Sequence, residues 1–236
     1  MTNLDAAATT SDVEDLINVM KSRRNGYGFL SRLYRKEVDE GLLDELFDST
    51  YPVSTGSDDA DEGYRLIATF LCGIWENTVT ELAADYMRTF FGHGIDGHAA
   101  AYPFESVHTS EKRLLMQSAR DEVLAIYRSA GLDKQDSWKE GEDHIAVELE
   151  FMQVLIDRTM HALERGDEDE IYAQIVSQKN FLEDHIVSWS PLLTAEVRQY
   201  AKTDFYKGLA FLTDGFLEND REVLNDLTST ETYADQ

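Results

Sequence analysis

Glu142-Asp143-His144-Ile145-Ala146-Val147-Glu148-Leu149-Glu150-Phe151-Met152 opens an amphipathic helix with an acid, an imidazole and a second acid. His144 and Glu148 are four residues apart, so they share a helical face within hydrogen-bonding reach. Ile145, Leu149, Met152 and Ile156 form the neighbouring apolar stripe. Polar groups are thereby fixed at the edge of a buried seam. Such an edge serves as a binding surface, a metal site or a salt-linked helix end.

Helical periodicity continues in both directions. Ser137-Trp138-Lys139-Glu140 has the form of a capping box, so a helix is expected from there to Arg165-Gly166. Asp167 and Glu170 repeat the box and open a helix to Val187. Ser190-Pro191 is a cap followed by proline at the first helical position. Two more helices carry the chain to Leu227, and 228–236 reads as a disordered tail.

Upstream, Leu132–Asp136 is a polar connector preceded by a helix over 109–130. Ile95–Phe104 is a loop. A long helical pattern from Asp61 to Phe91, broken near Asn77, stops at Gly92-His93-Gly94. Tyr51–Asp61 is a loop, and a short helix over 40–48 carries Leu42, Leu43, Leu46 and Phe47. The capping box Ser11-Asp12-Val13-Glu14 opens the first helix, which reaches Val38 with Gly26 and Gly28 as bending points. Residues 1–10 read as disordered. Strand and hairpin signals are nearly absent, and no repeat has a fixed period. The expectation is an all-α fold: one helical-bundle domain over 11–227, with about eight to ten helices and a hinge near 131–137 between two helical halves.

Composition narrows the function. Of 236 residues, 42% are hydrophobic, enough for a substantial core, and only three are proline. The lone Cys72 excludes an internal disulfide framework and any cysteine-based zinc cluster. It lies between Leu71 and Gly73 on an apolar helix and is expected to be buried and inert. The formal net charge is -25. Nucleic acid and anionic membrane require a basic face that this chain lacks, whereas a cationic partner suits an acidic field. No run approaches a membrane span, and the first residues do not resemble a secretion signal. Ser22-Arg23-Arg24 mimics the start of an export signal, but Arg32, Arg35, Lys36 and Glu37 follow where an apolar core is needed. A cytoplasmic protein is expected.

Catalytic motifs are missing. Di-metal carboxylate bundles use paired Glu-x-x-His units, and here Glu105-Ser106-Val107-His108 stands alone. There is no Gly-x-Ser-x-Gly elbow and no phosphate-cradling glycine loop. Two constellations remain. Asp143, His144 and Glu148 form the first, in which Glu148 should favour a charged imidazole. Tyr102-Pro103-Phe104-Glu105-Ser106 is the second: either a loop plugged into the core, or a groove wall with rings for packing and Glu105 for a cation.

In this order the pieces resemble the cytoplasmic chaperones of the TorD, DmsD and NarJ types, which mature molybdopterin oxidoreductases. Tyr27-Gly-Phe-Leu-Ser-Arg-Leu-Tyr34 with Leu42-Leu43-Asp-Glu-Leu46 is similar to that family's opening helices. Tyr86-Met-Arg-Thr-Phe-Phe91-Gly92 is similar to the segment before its proline loop, and Tyr102–Val107 to the loop itself. Glu142-Asp143-His144 with Glu148-Leu149-Glu150-Phe151-Met152 resembles its most characteristic motif, although Glu142 stands where proline is usual. Gln178-Lys-Asn-Phe181-Leu-Glu-Asp-His185 with Trp189 resembles the motif one helix later.

The resemblance implies an all-helical chaperone without enzymatic activity or cofactor. It would hold the N-terminal twin-arginine signal of a molybdopterin oxidoreductase subunit while cofactor is inserted, delaying export, as a monomer or a helix-swapped dimer. On this expectation Asp143, Glu148 and Glu105 receive the signal's arginines. Tyr102, Pro103 and Phe104 contact its apolar part beside Ser106, and His144 orients the acids. The rival readings are an acidic helical scaffold for a folded partner and a helical metalloenzyme using His108 and His144.

Overall fold

A computed structural model describes residues 10–52, 54–92, 100–111, 113–133 and 138–229, with side chains from residue 13 onward. The described residues form ten α-helices: α1 (Thr10–Arg35), α2 (Glu40–Asp48), α3 (Asp58–Leu71), α4 (Thr78–Tyr86), α5 (Glu105–Thr109), α6 (Ser118–Ser129), α7 (Ile145–Arg165), α8 (Glu168–Phe181), α9 (Ser190–Tyr200) and α10 (Asp204–Ser229). α4 and α8 each run on into a π-helical turn, Met87–Phe91 and Leu182–Val187. Among the described residues the only β feature is an isolated bridge between Phe104 and His144. The expected all-α architecture is therefore the one observed.

Local chemistry sets many helix ends. Asp39, Ser57 and Asp167 each accept a hydrogen bond from the backbone N–H three residues on, at 3.0, 3.3 and 3.2 Å. These caps satisfy donors that have no partner inside the helix. α7 stops at Gly166, whose φ of 66° lies in the left-handed region that glycine enters without a Cβ penalty.

α7 packs between α1 and α8, while α10 packs on α3 and α9. One apolar core continues through both groups, from Tyr27 and Tyr34 to Leu149, Trp189 and Leu209. At the α1–α7 crossing, Ser31 Oγ donates to the Ala146 carbonyl at 2.8 Å. α1 continues through Gly26 and Gly28, where Phe216 and Gln153 press against the missing side chains. These glycines therefore permit close approach.

Three expectations change. The helix expected from Ser137 starts only at Ile145, because 138–144 pairs with a distant loop described below; Ser137 lies outside the described residues. The helix expected over 109–130 is present only as α6: α5 ends at Thr109 and α6 begins at Ser118. Between them, Arg113 and Met116 adopt left-handed backbone conformations (φ 51° and 58°) that no helix continues through. Cys72 is exposed, since α3 ends at Leu71 and turns the thiol to solvent. Arg23 of the apparent export motif is a buried core residue paired with Asp220.

The side chains of Ser11 and Asp12, residues 93–99 of the expected loop, residues 1–9, and 134–137 of the expected hinge lie outside the described residues. So does the tail beyond Ser229; Thr228 and Ser229 belong to α10. Among the described residues no helix is long and apolar enough to cross a membrane.

Candidate functional site

Two segments nearly forty residues apart zip together ahead of α7. Glu105 N donates to the Asp143 carbonyl and Ile145 N to the Pro103 carbonyl, each at 2.9 Å. Ser106 N donates to Asp143 Oδ2 at 3.0 Å. Ala101 N reaches back to the Thr89 carbonyl at 2.8 Å, which anchors the loop on the π turn after α4. The loop 100–107 therefore closes over the start of α7.

His144 is the N-cap of α7. Its Nδ1 accepts from Ala146 N at 3.0 Å, so that nitrogen must be unprotonated. Its ring stands edge-on to Phe104 and to Trp138, with centroids at 5.0 and 5.2 Å. Burial, helped by the charge of Arg35, pushes its pKa down to about 3. The charged imidazole expected beside Glu148 is thus replaced by a neutral cap, because the ring is enclosed and its Nδ1 serves its own helix.

Glu148 bonds elsewhere. Trp189 Nε1 donates to Glu148 Oε2 at 3.2 Å and to the His185 carbonyl at 2.6 Å. Burial first, then the charges of Glu105 and Asp143, push Glu148 well above the usual carboxylate range. His185 Nδ1 lies 3.3 and 3.4 Å from the two carboxylate oxygens of Glu105. Burial alone would lower His185, but the bond and charge of Glu105, with Asp184 and Glu122, more than offset it and raise its pKa. Glu148, Trp189, His185 and Glu105 thus form one connected polar group in the interior.

The acids form no open acidic surface. Glu105, Asp143 and Glu148 are 4%, 1% and 0% exposed. Pro103, Phe104 and Ser106 are buried and Tyr102 half-buried, so the loop is plugged into the core. Yet polar capacity is left over. Ser106 Oγ, Asp143 Oδ1 and Glu148 Oε1 are buried with no hydrogen-bond partner among the described residues when the carboxylates are ionised. Such groups are costly in a closed core and mark a place for a donor. Glu142 is also buried and receives Arg120 Nε at 2.6 Å, so an ion pair stabilises the turn.

His108 points away from Glu105. Its Nε2 is 2.9 Å from the Tyr102 carbonyl, and its ring stacks on Trp189. Among the described residues no group of three or more histidine, cysteine or acidic side chains is arranged to hold a metal ion.

Two cavities flank α7 and share Phe151 as a wall. One of about 460 Å³ is lined by Tyr127, Leu132, Trp138, Val147 and Val154, with Arg35, Lys36, Asp133 and Glu150 at its rim. Arg35 lies over Trp138 and pairs with Glu150. The other, about 360 Å³, is lined by Phe181, Asp184 and His185 on one side and by Ile126 and Arg158 on the other. His185, Trp189 and Phe151 join the site only through folding, and the sequence has its own signal there. Its signal for the first two was the motif Gln178–His185 with Trp189, which had no evident partner before folding.

A family model described as nitrate reductase delta subunit matches residues 57–195. Similar proteins include the chaperone protein TorD of Psychrobacter sp. (strain PRwf-1), 27% identical over 64% of this chain and 65% of its own. TorD of Vibrio parahaemolyticus is 28% identical over 61% and 64%. TorD of Photobacterium profundum is 25% identical over 90% and 98%. The chain thus spans just under two thirds of the length of the first two relatives. All three are named chaperones. With its family match covering both the 100–107 loop and the α7 cap, the chain belongs to the nitrate reductase delta subunit family.

Proposed function

We propose that the chain is a cytoplasmic chaperone for a molybdopterin oxidoreductase subunit. It binds the subunit's N-terminal twin-arginine signal, assists cofactor insertion and delays export until maturation is complete. One observation carries this reading: Glu105, Asp143 and Glu148 gather around acceptor oxygens that lack donors. A guanidinium presents five donors and no acceptor, which is the complement of such a cluster. The net charge of -25 steers a basic segment toward the protein. The cavity lined by Tyr127, Leu132, Trp138 and Phe151 suits the apolar residues that follow the arginines. Tyr102 contacts the peptide at the loop's outer edge, while Pro103, Phe104, Ser106 and His144 hold the loop and helix in place.

Calorimetric titration with a twin-arginine signal peptide tests the reading. Saturable binding is expected, weakened by high salt and by a twin-lysine peptide, because lysine lacks the bidentate fork. Asp143→Asn keeps the shape and removes the charge, and should weaken binding about tenfold or more. Alanine at Asp143 and His144 is the poorer test, since it also removes the α7 cap and the loop tie. Unchanged affinity in Asp143→Asn would take Asp143 out of the site. Absence of binding to several reductase signals would favour a scaffold that grips a folded partner.

A further inference from the structure

Trp138 carries a hydrogen-bond donor that the described residues leave unused. Its Nε1 is buried and has no acceptor among them. A buried N–H without a partner costs free energy that a carbonyl oxygen would recover. The ring itself is well held. It stands edge-on to His144, the cap of α7, with centroids 5.2 Å apart. Arg35 lies over it, 5.3 Å from its centre. Trp138 is therefore a fixed donor on the wall of the 460 Å³ cavity, next to the α7 cap.

The rest of that wall is apolar. The Tyr127 and Phe151 rings meet at 4.8 Å, and Leu132, Val147 and Val154 complete the lining. The volume lies in the range of ligand pockets. Both acids at the mouth are engaged: Glu150 pairs with Arg35, and Asp133 makes an interaction of its own. The mouth thus offers a guanidinium little to bind and suits an uncharged side chain. Position adds a constraint. Val147, Phe151 and Val154 lie roughly 5–15 Å along α7 from the His144 cap, at 1.5 Å per residue. An extended chain covers that distance in about two to four residues.

We propose that Trp138 is a specificity-determining residue for the bound segment. The cavity takes one large apolar side chain, about two to four residues after the arginines, and Trp138 Nε1 donates to a backbone carbonyl beside it. The proposal rests on the peptide-binding reading above and adds to it a residue, a register and a direction, since the segment then runs along α7 from its N-terminus. The two contacts divide the work. Every residue has a carbonyl, so the indole fixes register, while the apolar walls select the side chain by size. A hydrocarbon ligand would fill the same walls but leave Nε1 unpaired.

Calorimetric titration of the full chain tests this with two peptides: a twin-arginine signal, and the same signal with alanine at the large apolar residue. The wild-type protein should bind the alanine peptide about tenfold or more weakly, the loss of one buried side chain. That comparison needs no variant to fold. Trp138→Phe keeps a ring in the wall but has no N–H, and should weaken the parent peptide about five- to tenfold. Val154→Phe fills the cavity from its edge, so the two peptides should then bind nearly alike. Tryptophan fluorescence should shift when the parent peptide binds, and Trp138→Phe, which keeps Trp75 and Trp189, should lose most of that shift. Full affinity in Trp138→Phe, with undiminished discrimination in Val154→Phe, would overturn the proposal and leave the peptide reading standing. If no signal peptide binds the wild-type protein, that reading falls and the proposal with it.

Discussion

Asp220→Ala is expected to lower the free energy of unfolding by about 3–5 kcal/mol. Arg23 and Asp220 are 5% and 3% exposed. Asp220 receives Arg23 Nε at 2.5 Å, Arg23 Nη2 at 3.0 Å and the Tyr27 hydroxyl at 2.6 Å. Arg23 Nη1 donates to Gln178 Oε1 at 2.7 Å, and Gln178 Nε2 to Thr159 Oγ1 at 2.7 Å. One guanidinium thus joins α1, α10, α8 and, through Gln178, α7. Alanine leaves that guanidinium buried without its counter-ion, and the loss exceeds any worth of the pair itself.

Urea unfolding should show a lower midpoint with an unchanged slope. Arg23→Met combined with Asp220→Leu removes both charges together and should recover much of the loss, because apolar side chains of similar volume replace a buried pair almost neutrally. A loss below about 1 kcal/mol in Asp220→Ala would show that solvent reaches Arg23 and that the network does not hold the bundle. The consequence extends to the site. Gln178 lies on α8, two turns before His185 in the π turn that continues it, so the network that fixes α8 also helps fix the imidazole against Glu105.

That network shows what the sequence conceals. Arg23 is visible as a cation in an amphipathic segment, but its partner lies 197 residues away, and no local pattern joins them. Local chemistry was readable: Asp167 caps α8, Asn77 marks the start of α4, and Gly166 ends α7. The start of α7 was misread for the opposite reason. Ser137-Trp138-Lys139-Glu140 has capping-box form, yet Glu105, Asp143, Pro103 and Ile145 bond across the loop and fix the helix end eight residues later. The candidate site follows the same division. Its acids could be named from spacing and resemblance, whereas their burial comes from the loop that closes over them. In a chain this acidic, carboxylates are expected outside, and nothing near Glu148 in sequence shows that Trp189 and Glu105 enclose it.

Gly215→Ala should destabilise the protein by about 1–3 kcal/mol, although alanine is the better helix former by about 1 kcal/mol. The two effects oppose each other, and geometry decides. A Cβ at Gly215 would meet Ala60 N at 2.4 Å, Ser57 Oγ at 2.7 Å and the Ala60 Cβ at 2.8 Å. Two of these neighbours are fixed to the α3 backbone, so the helices must separate. Separation also disturbs Ser57, the cap of α3, worth about a further 1 kcal/mol. Gly63 faces the same seam from the other side, where a Cβ would lie 2.5 Å from Leu212 N. The losses in Gly63→Ala and Gly215→Ala should therefore sum to more than the loss in the double variant, because the first substitution has already opened the interface. Gly41→Ala is the matching control. It lies in α2 with only Asp39 Oδ1 nearby, at 3.8 Å, and there propensity acts unopposed. Thermal unfolding of the two variants should shift in opposite directions, upward for Gly41→Ala and downward for Gly215→Ala. An upward shift in Gly215→Ala would mean that α3 and α10 are not in backbone contact at this crossing.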